Sequence, residues 1–112
     1  MININGIDLE FNLFDCETAE RYESALKELQ SDSALTTGLA DTIKHQCGIV
    51  HDFFDQVFGA GTAGRVFGDR LDVMACTQAL GKVIDDAERQ TGEYNDLLSR
   101  YVPNRAARHA AR

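Results

Sequence analysis

Three stretches of the chain hold residue types that do chemistry at comparable spacing elsewhere. The first is Gly59-x-Gly61-x-x-Gly64, the string that cradles dinucleotide phosphates. That use needs a strand directly before the glycines and a long helix directly after, so that backbone N–H groups and the helix terminus face the pyrophosphate. Here helical periodicity precedes the string and Gly68 halts the segment after it, so the spacing predicts a capped turn. The second stretch is Cys47, His51 and Asp55, one helical turn apart on one face. These are metal-ligand types, but three stacked positions on one helix close a site poorly without an outside ligand. Cys47 fits an apolar stripe, and His51 with Asp55 fits an exposed ion pair, so no metal is expected. The third is Asp85-Asp86, whose side chains point in different directions from a helix and read as a solvated face. Ser24, Ser31, Ser33 and Ser99 lack a nucleophile elbow, and Cys47 and Cys76 read as small core residues. The chemistry therefore predicts a non-enzyme without cofactor.

The elements that hold these residues are legible from local patterns. Ile2 and Ile4, then Ile7, Leu9, Phe11 and Leu13, alternate with polar residues around Asn5-Gly6. Asn-Gly tolerates the two positive φ angles of a type I′ turn, so a β-hairpin is expected, with one apolar face that must pack on helices. Asp15 is placed to cap a helix over about 16–30, ended by a polar break at Gln30–Ser33. A second helix is expected over about 34–58, with Leu39, Ile43, Cys47, Val50, Phe54 and Val57 at helical spacing. Gly38 and Gly48 inside it suggest a kink or a close helix contact. Gly59 and Gly61 end it, and Gly68 closes a short turn after Thr62. Asp72 caps a helix with Val73, Cys76, Leu80, Val83, Ile84 and Ala87 inward. Thr91-Gly92 is expected to break it before a further piece carrying Tyr94, Leu97, Leu98 and Tyr101, stopped at Pro103. The fold class is α+β, mainly α: an N-terminal hairpin on a bundle of three to four helices. A single domain over 1–102 is followed by a basic, flexible tail over 103–112.

Composition narrows the function. The 112 residues suit one modest core. The net charge is −7, and all 18 acids lie at or before Asp96. Three of the 11 basic residues, Arg105, Arg108 and Arg112, fall in the tail, leaving 8 against 18 in the body. A body that acidic repels phosphate backbones, so nucleic-acid binding is disfavoured. Three scattered cysteines without a CxxC pair suit a reducing cytoplasm, and no apolar run is long enough for a membrane span.

One feature points to a working surface. Phe53, Phe54, Phe58 and Phe67 gather four of the six phenylalanines around the glycine bend. They form either a compact aromatic core or an exposed groove that binds partners or a second copy.

Around this bend the sequence resembles a family of short phage and prophage proteins from the tail-morphogenesis regions of phages of Gram-positive bacteria. The resemblance is carried by Ile4-Asn-Gly-Ile-Asp-Leu-Glu-Phe11, Phe14-Asp15 with Thr18-Ala-Glu-x-Tyr22-Glu23, Phe53-Phe-Asp-x-Val-Phe-Gly-x-Gly-Thr-Ala63 and Val66-Phe-Gly68. It covers roughly residues 2 to 100, and the Arg tail departs from it. Several such families look like tail assembly chaperones. The resemblance implies transient binding of the tape-measure protein, recruitment of tail-tube protein, residence in the host bacterial cytoplasm and absence from the finished particle. Two other readings stand beside it: a structural tail or head–tail component that oligomerises as a ring in the virion, and a small nucleotide-binding protein using the glycine bend.

Overall fold

A computed structural model of the chain describes residues 1–31 and 37–101. Strands β1 (Ile2–Ile4) and β2 (Ile7–Leu9) pair antiparallel, with Ile2 opposite Leu9 and Ile4 opposite Ile7. Asn5 and Gly6 both take positive φ, 53° and 82°, as the two-residue turn requires. The Asn5 side chain also donates to the Val66 carbonyl at 3.1 Å, which ties the turn to a segment 61 residues away.

Four helices complete the described chain. Helix α1 (Cys16–Ser31) starts where Asp15 Oδ2 accepts from the Thr18 backbone N–H at 3.1 Å. Helix α2 runs Leu39–Phe58, α3 is the short Thr62–Phe67, and α4 runs Val73–Tyr101. Asp72 Oδ1 accepts from the Met74 and Ala75 N–H groups and so caps α4. The expected start of α2 near Ala34 and the last residues of the expected polar break lie outside the described residues, as does the tail from 103 onward. Gln30 and Ser31 themselves are helical.

Two expectations change. Thr91-Gly92 does not break the last helix: α4 is continuous for 29 residues. One glycine costs a helix about 1 kcal/mol, too little to interrupt one anchored by packing on the N-terminal side. The Thr91 hydroxyl is satisfied by donating to the Ala87 carbonyl at 2.9 Å. Gly48 makes no close helix contact either, since a Cβ there would meet nothing within 4 Å, and Gly38 is the N-cap of α2 rather than an interior residue.

The hydrophobic core lies where the hairpin face meets α2 and α4. Ile4 (1% exposed), Phe54 and Cys47 (each 0%) and Val83 (0%) form its centre. α1 covers α2 with Tyr22 and Ala25, and α3 covers it with Ala63 and Val66. At about 25 cal/mol per Å² such burial dominates the favourable side of folding.

Candidate functional site

Helix α2 carries two aromatic residues in succession, Phe53 and Phe54, which point about 100° apart around the helix. Both are buried because different elements arrive on the two sides. Tyr22 from α1 meets Phe53 edge-on at 6.0 Å between ring centres, and Phe67 from α3 meets Phe54 edge-on at 5.2 Å. With 2% and 0% exposure, Phe53 and Phe54 present nothing to a partner. Of the two readings of the phenylalanine group, they belong to the compact core, and their place in a partner-binding surface is withdrawn. Phe67 is half-buried and lies flat on the His51 ring, with centres 4.8 Å apart and planes 8° from parallel.

Phe58 is placed differently. It is also half-buried, packed on Phe11 at 5.5 Å and Phe54 at 5.6 Å, and it opens onto a cleft of about 500 Å³. Phe11 and Val57 lie behind it, 3% and 2% exposed, while Glu10, Asn12, Asp15, Thr18 and Arg21 supply polar groups and Met1 completes the lining. Arg21 reaches toward Glu17 and the Thr18 hydroxyl, both at 3.5 Å, contacts that exposed side chains make weakly. The cleft thus has the Phe58 ring at its base and Glu10, Asp15 and Arg21 among its polar lining. Phe11 and Arg21 escape sequence reasoning as cleft residues. Phe11 is visible in the strand alternation, but its meeting with the end of α2, 47 residues away, has no local signal.

The glycine bend is a helix–turn–helix corner. Gly59 (φ 113°) caps the end of α2 and Gly61 (φ 88°) precedes α3, both with backbone angles an L side chain resists. Gly68 ends α3 with φ 64°. α2 rather than a strand precedes the string, and α3 has six residues. Asp55 Oδ1 accepts from the Ala63 N–H at 2.9 Å, and the Thr62 hydroxyl donates to the Gly59 carbonyl at 2.7 Å. The start of α3, where a phosphate would bind, is already occupied by the chain's own carboxylate.

The expected His51–Asp55 ion pair is not among the ion pairs of the described residues. His51 Nε2 instead lies 3.7 Å from the Cys76 sulfur, bridging α2 to α4. Among the described residues no group of three His, Cys, Asp or Glu side chains is arranged to hold a metal. Burial, with the adjoining Cys47 thiol adding to it, pushes the Cys76 thiol up to about 12. A thiol held neutral is a poor nucleophile. Cys16 is exposed, and its hydrogen bond to Glu20 raises its pKa too. Native protein treated with iodoacetamide at neutral pH is expected to be alkylated slowly and at Cys16 alone, with Cys47 and Cys76 joining only in denaturant. Peptide mass mapping reads the pattern, and native labelling of Cys76 would contradict the buried placement.

One polar residue in the core has no forewarning in the sequence pattern. Gln90 on α4 is 4% exposed, and its amide pairs with the backbone that continues from β2. Nε2 donates to the Phe11 carbonyl at 2.7 Å and to Asp86 Oδ2 at 2.8 Å, while Oε1 accepts from the Leu13 N–H at 2.8 Å. Burial pulls the Asp86 carboxyl up, but hydrogen bonds from Gln90 and Arg89 outweigh it and hold the pKa below the usual range.

Fold and cleft together define a small hairpin-plus-helix protein in which one half-buried ring, Phe58, opens onto a cleft between the chain start, α1 and the end of α2. The chain belongs to the DUF6673 family, a family of unknown function, whose model matches residues 5–112. Comparisons with curated proteins and with solved structures find no match.

Proposed function

We propose that this chain is a non-catalytic phage tail morphogenesis factor, a tail assembly chaperone that holds the tape-measure protein, and through it tail-tube subunits, in the host cytoplasm. The observation that carries the reading is the cleft at Phe58, where a half-buried ring lies beside the Glu10 and Asp15 carboxylates. A cleft of this kind takes an amphipathic helix that offers one large apolar side chain and basic neighbours. Tape-measure proteins are long and helix-rich, and a strongly acidic companion keeps such a chain soluble. The resemblance around Phe58-Gly-x-Gly-Thr62 supplies the biological setting. No helix among the described residues is long and apolar enough to cross a membrane.

The test is co-purification of the full chain with the tape-measure protein of the same genome, followed by titration with its segments. Phe58→Ala is expected to weaken binding about tenfold or more, in protein that still melts cooperatively. Glu10→Lys, at an exposed rim position, is expected to weaken it several-fold at low salt and less at high salt. Wild-type affinity in both variants would overturn the cleft as the binding site. A second reading, a ring-forming component retained in the virion, is favoured by the exposed apolar end of α4. Stoichiometric amounts of the chain in purified particles would establish that reading over the first.

A further inference from the structure

Helix α4 is about 43 Å long at roughly 1.5 Å per residue, in a molecule whose principal extents are 53 × 30 × 21 Å. Its inward face repeats every three and four residues, from Val73 and Cys76 through to Ala87 and Gln90, and this part packs on the core. The same spacing continues as Tyr94, Leu97 and Tyr101, with Leu98 beside them, so the stripe runs on in register beyond the body. Tyr94, Leu97 and Tyr101 are 46%, 51% and 71% exposed. Phe14, itself 56% exposed, touches Tyr94 at 6.1 Å between ring centres, and no other ring contact among the described residues reaches this stretch.

We infer that the projecting end of α4 pairs antiparallel with the same segment of a second copy, forming a two-fold dimer. Charge selects the occupant and the orientation. With Tyr94 and Tyr101 at a positions and Leu97 at d, Glu93 and Arg100 both fall at g, flanking the stripe. In an antiparallel pair the g positions face each other across the two-fold axis, so Glu93 meets Arg100 of the other copy, twice. A parallel pair sets g against e, which here opposes Glu93 to Leu98 and forms no ion pair. Glu93 Oε1 accepts from Arg89 at 2.7 Å, leaving Oε2 open, and Arg100 has no ion-pair partner among the described residues. From Arg89 to Tyr101 the charges balance, with Arg89 and Arg100 against Glu93 and Asp96, so this stretch escapes the self-repulsion of the acidic body. The chain beyond it, 102–112, offers Val102 as its one large aliphatic side chain and is poorly composed to cover four large residues.

The two stripes with Phe14 bury on the order of 1,000 Å² in total, the lower limit for a specific interface. The dimer is accordingly concentration-dependent. Sedimentation equilibrium of the full chain from micromolar to near-millimolar concentration is expected to show a monomer–dimer equilibrium. Leu97→Glu is expected to abolish it while leaving helix content and melting unchanged, because Leu97 lies outside the core. Glu93→Arg and Arg100→Glu are each expected to weaken association several-fold, and the double variant to restore it. A wild-type monomer throughout the range overturns the inference, as does a dimer untouched by Leu97→Glu. Failure of the double variant to recover overturns the antiparallel register. None of these readouts depends on the Phe58 cleft or its partner.

Discussion

Replacing Phe54 with alanine is expected to cost about 3–5 kcal/mol, the range for emptying a fully buried phenylalanine site. Phe54 is 0% exposed, and its ring contacts Phe53, Phe58 and Phe67 at 6.0, 5.6 and 5.2 Å. The loss falls on three elements at once, because Phe54 sits where α2, the glycine corner and α3 meet. A small domain has about 5–15 kcal/mol in hand, so the variant loses a large part of its stability. Its midpoint is expected to fall by roughly 4 °C or more for each kcal/mol. Phe54→Leu, which keeps most of the volume, is expected to lose less than half as much. Calorimetry with urea titration checks both. A Phe54→Ala variant as stable as wild type would place this ring at the surface, contrary to the structure.

Gln90→Ala is expected to cost about 2–4 kcal/mol, through a buried carbonyl and a part-buried N–H left unpaired and a small cavity. The Phe11 carbonyl and the Leu13 N–H both depend on the Gln90 amide, and Phe11 is 3% exposed. Gln90→Glu separates hydrogen bonding from size. A carboxylate still accepts from Leu13, but it cannot donate to Phe11 and it faces Asp86, whose Oδ2 lies 2.8 Å from the native Nε2. The introduced acid therefore has its pKa raised on folding. Its favourable contribution is present below the unfolded carboxylate value near about 4 and is lost as pH rises through the folded value. In the wild type Asp86 behaves oppositely. Its folded pKa is lowered, so its contribution is present above the unfolded value and is lost as pH falls through the folded one. Stability of the wild type is thus expected to drop on acidification below about pH 4, whereas Gln90→Glu gains relative to wild type there and is weakest at neutrality. Parallel pH slopes for the two proteins would contradict the Gln90–Asp86 contact.

These two residues show how differently parts of the molecule are written in the chain. The hairpin turn and both aspartate caps are legible because their determinants are local: Asn5-Gly6 supplies its own positive φ angles, and Asp15 and Asp72 cap N–H groups two or three residues away. The glycine string is legible as a corner because its flanks lack a strand and a long helix. Gln90 is not legible. It sits on a helical face between Ala87 and Tyr94 and bonds a carbonyl 79 positions earlier, so only the assembled fold shows that its position is buried. The phenylalanines fall between these cases. Helical period places Phe54 inward, but Phe53 is buried only because Tyr22 arrives from α1, and Phe58 stays partly open because the segment after β2 covers it incompletely. Thr91-Gly92 misleads because two weak helix formers look like a stop when the length and anchoring of the surrounding helix are unknown.

Family membership and geometry together leave the working surface as the decisive matter. The core keeps Phe53 and Phe54, and under the proposed function the cleft between the chain start, α1 and the end of α2 receives a partner. Hydrogen-exchange mass spectrometry on the full chain, alone and saturated with tape-measure protein, tests this most directly. New protection is expected in peptides covering 10–21 and 55–60, with peptides from the middle of α4 unchanged. Binding that leaves both cleft segments unprotected, or no binding at all to the tape-measure protein, would contradict the cleft as the working surface.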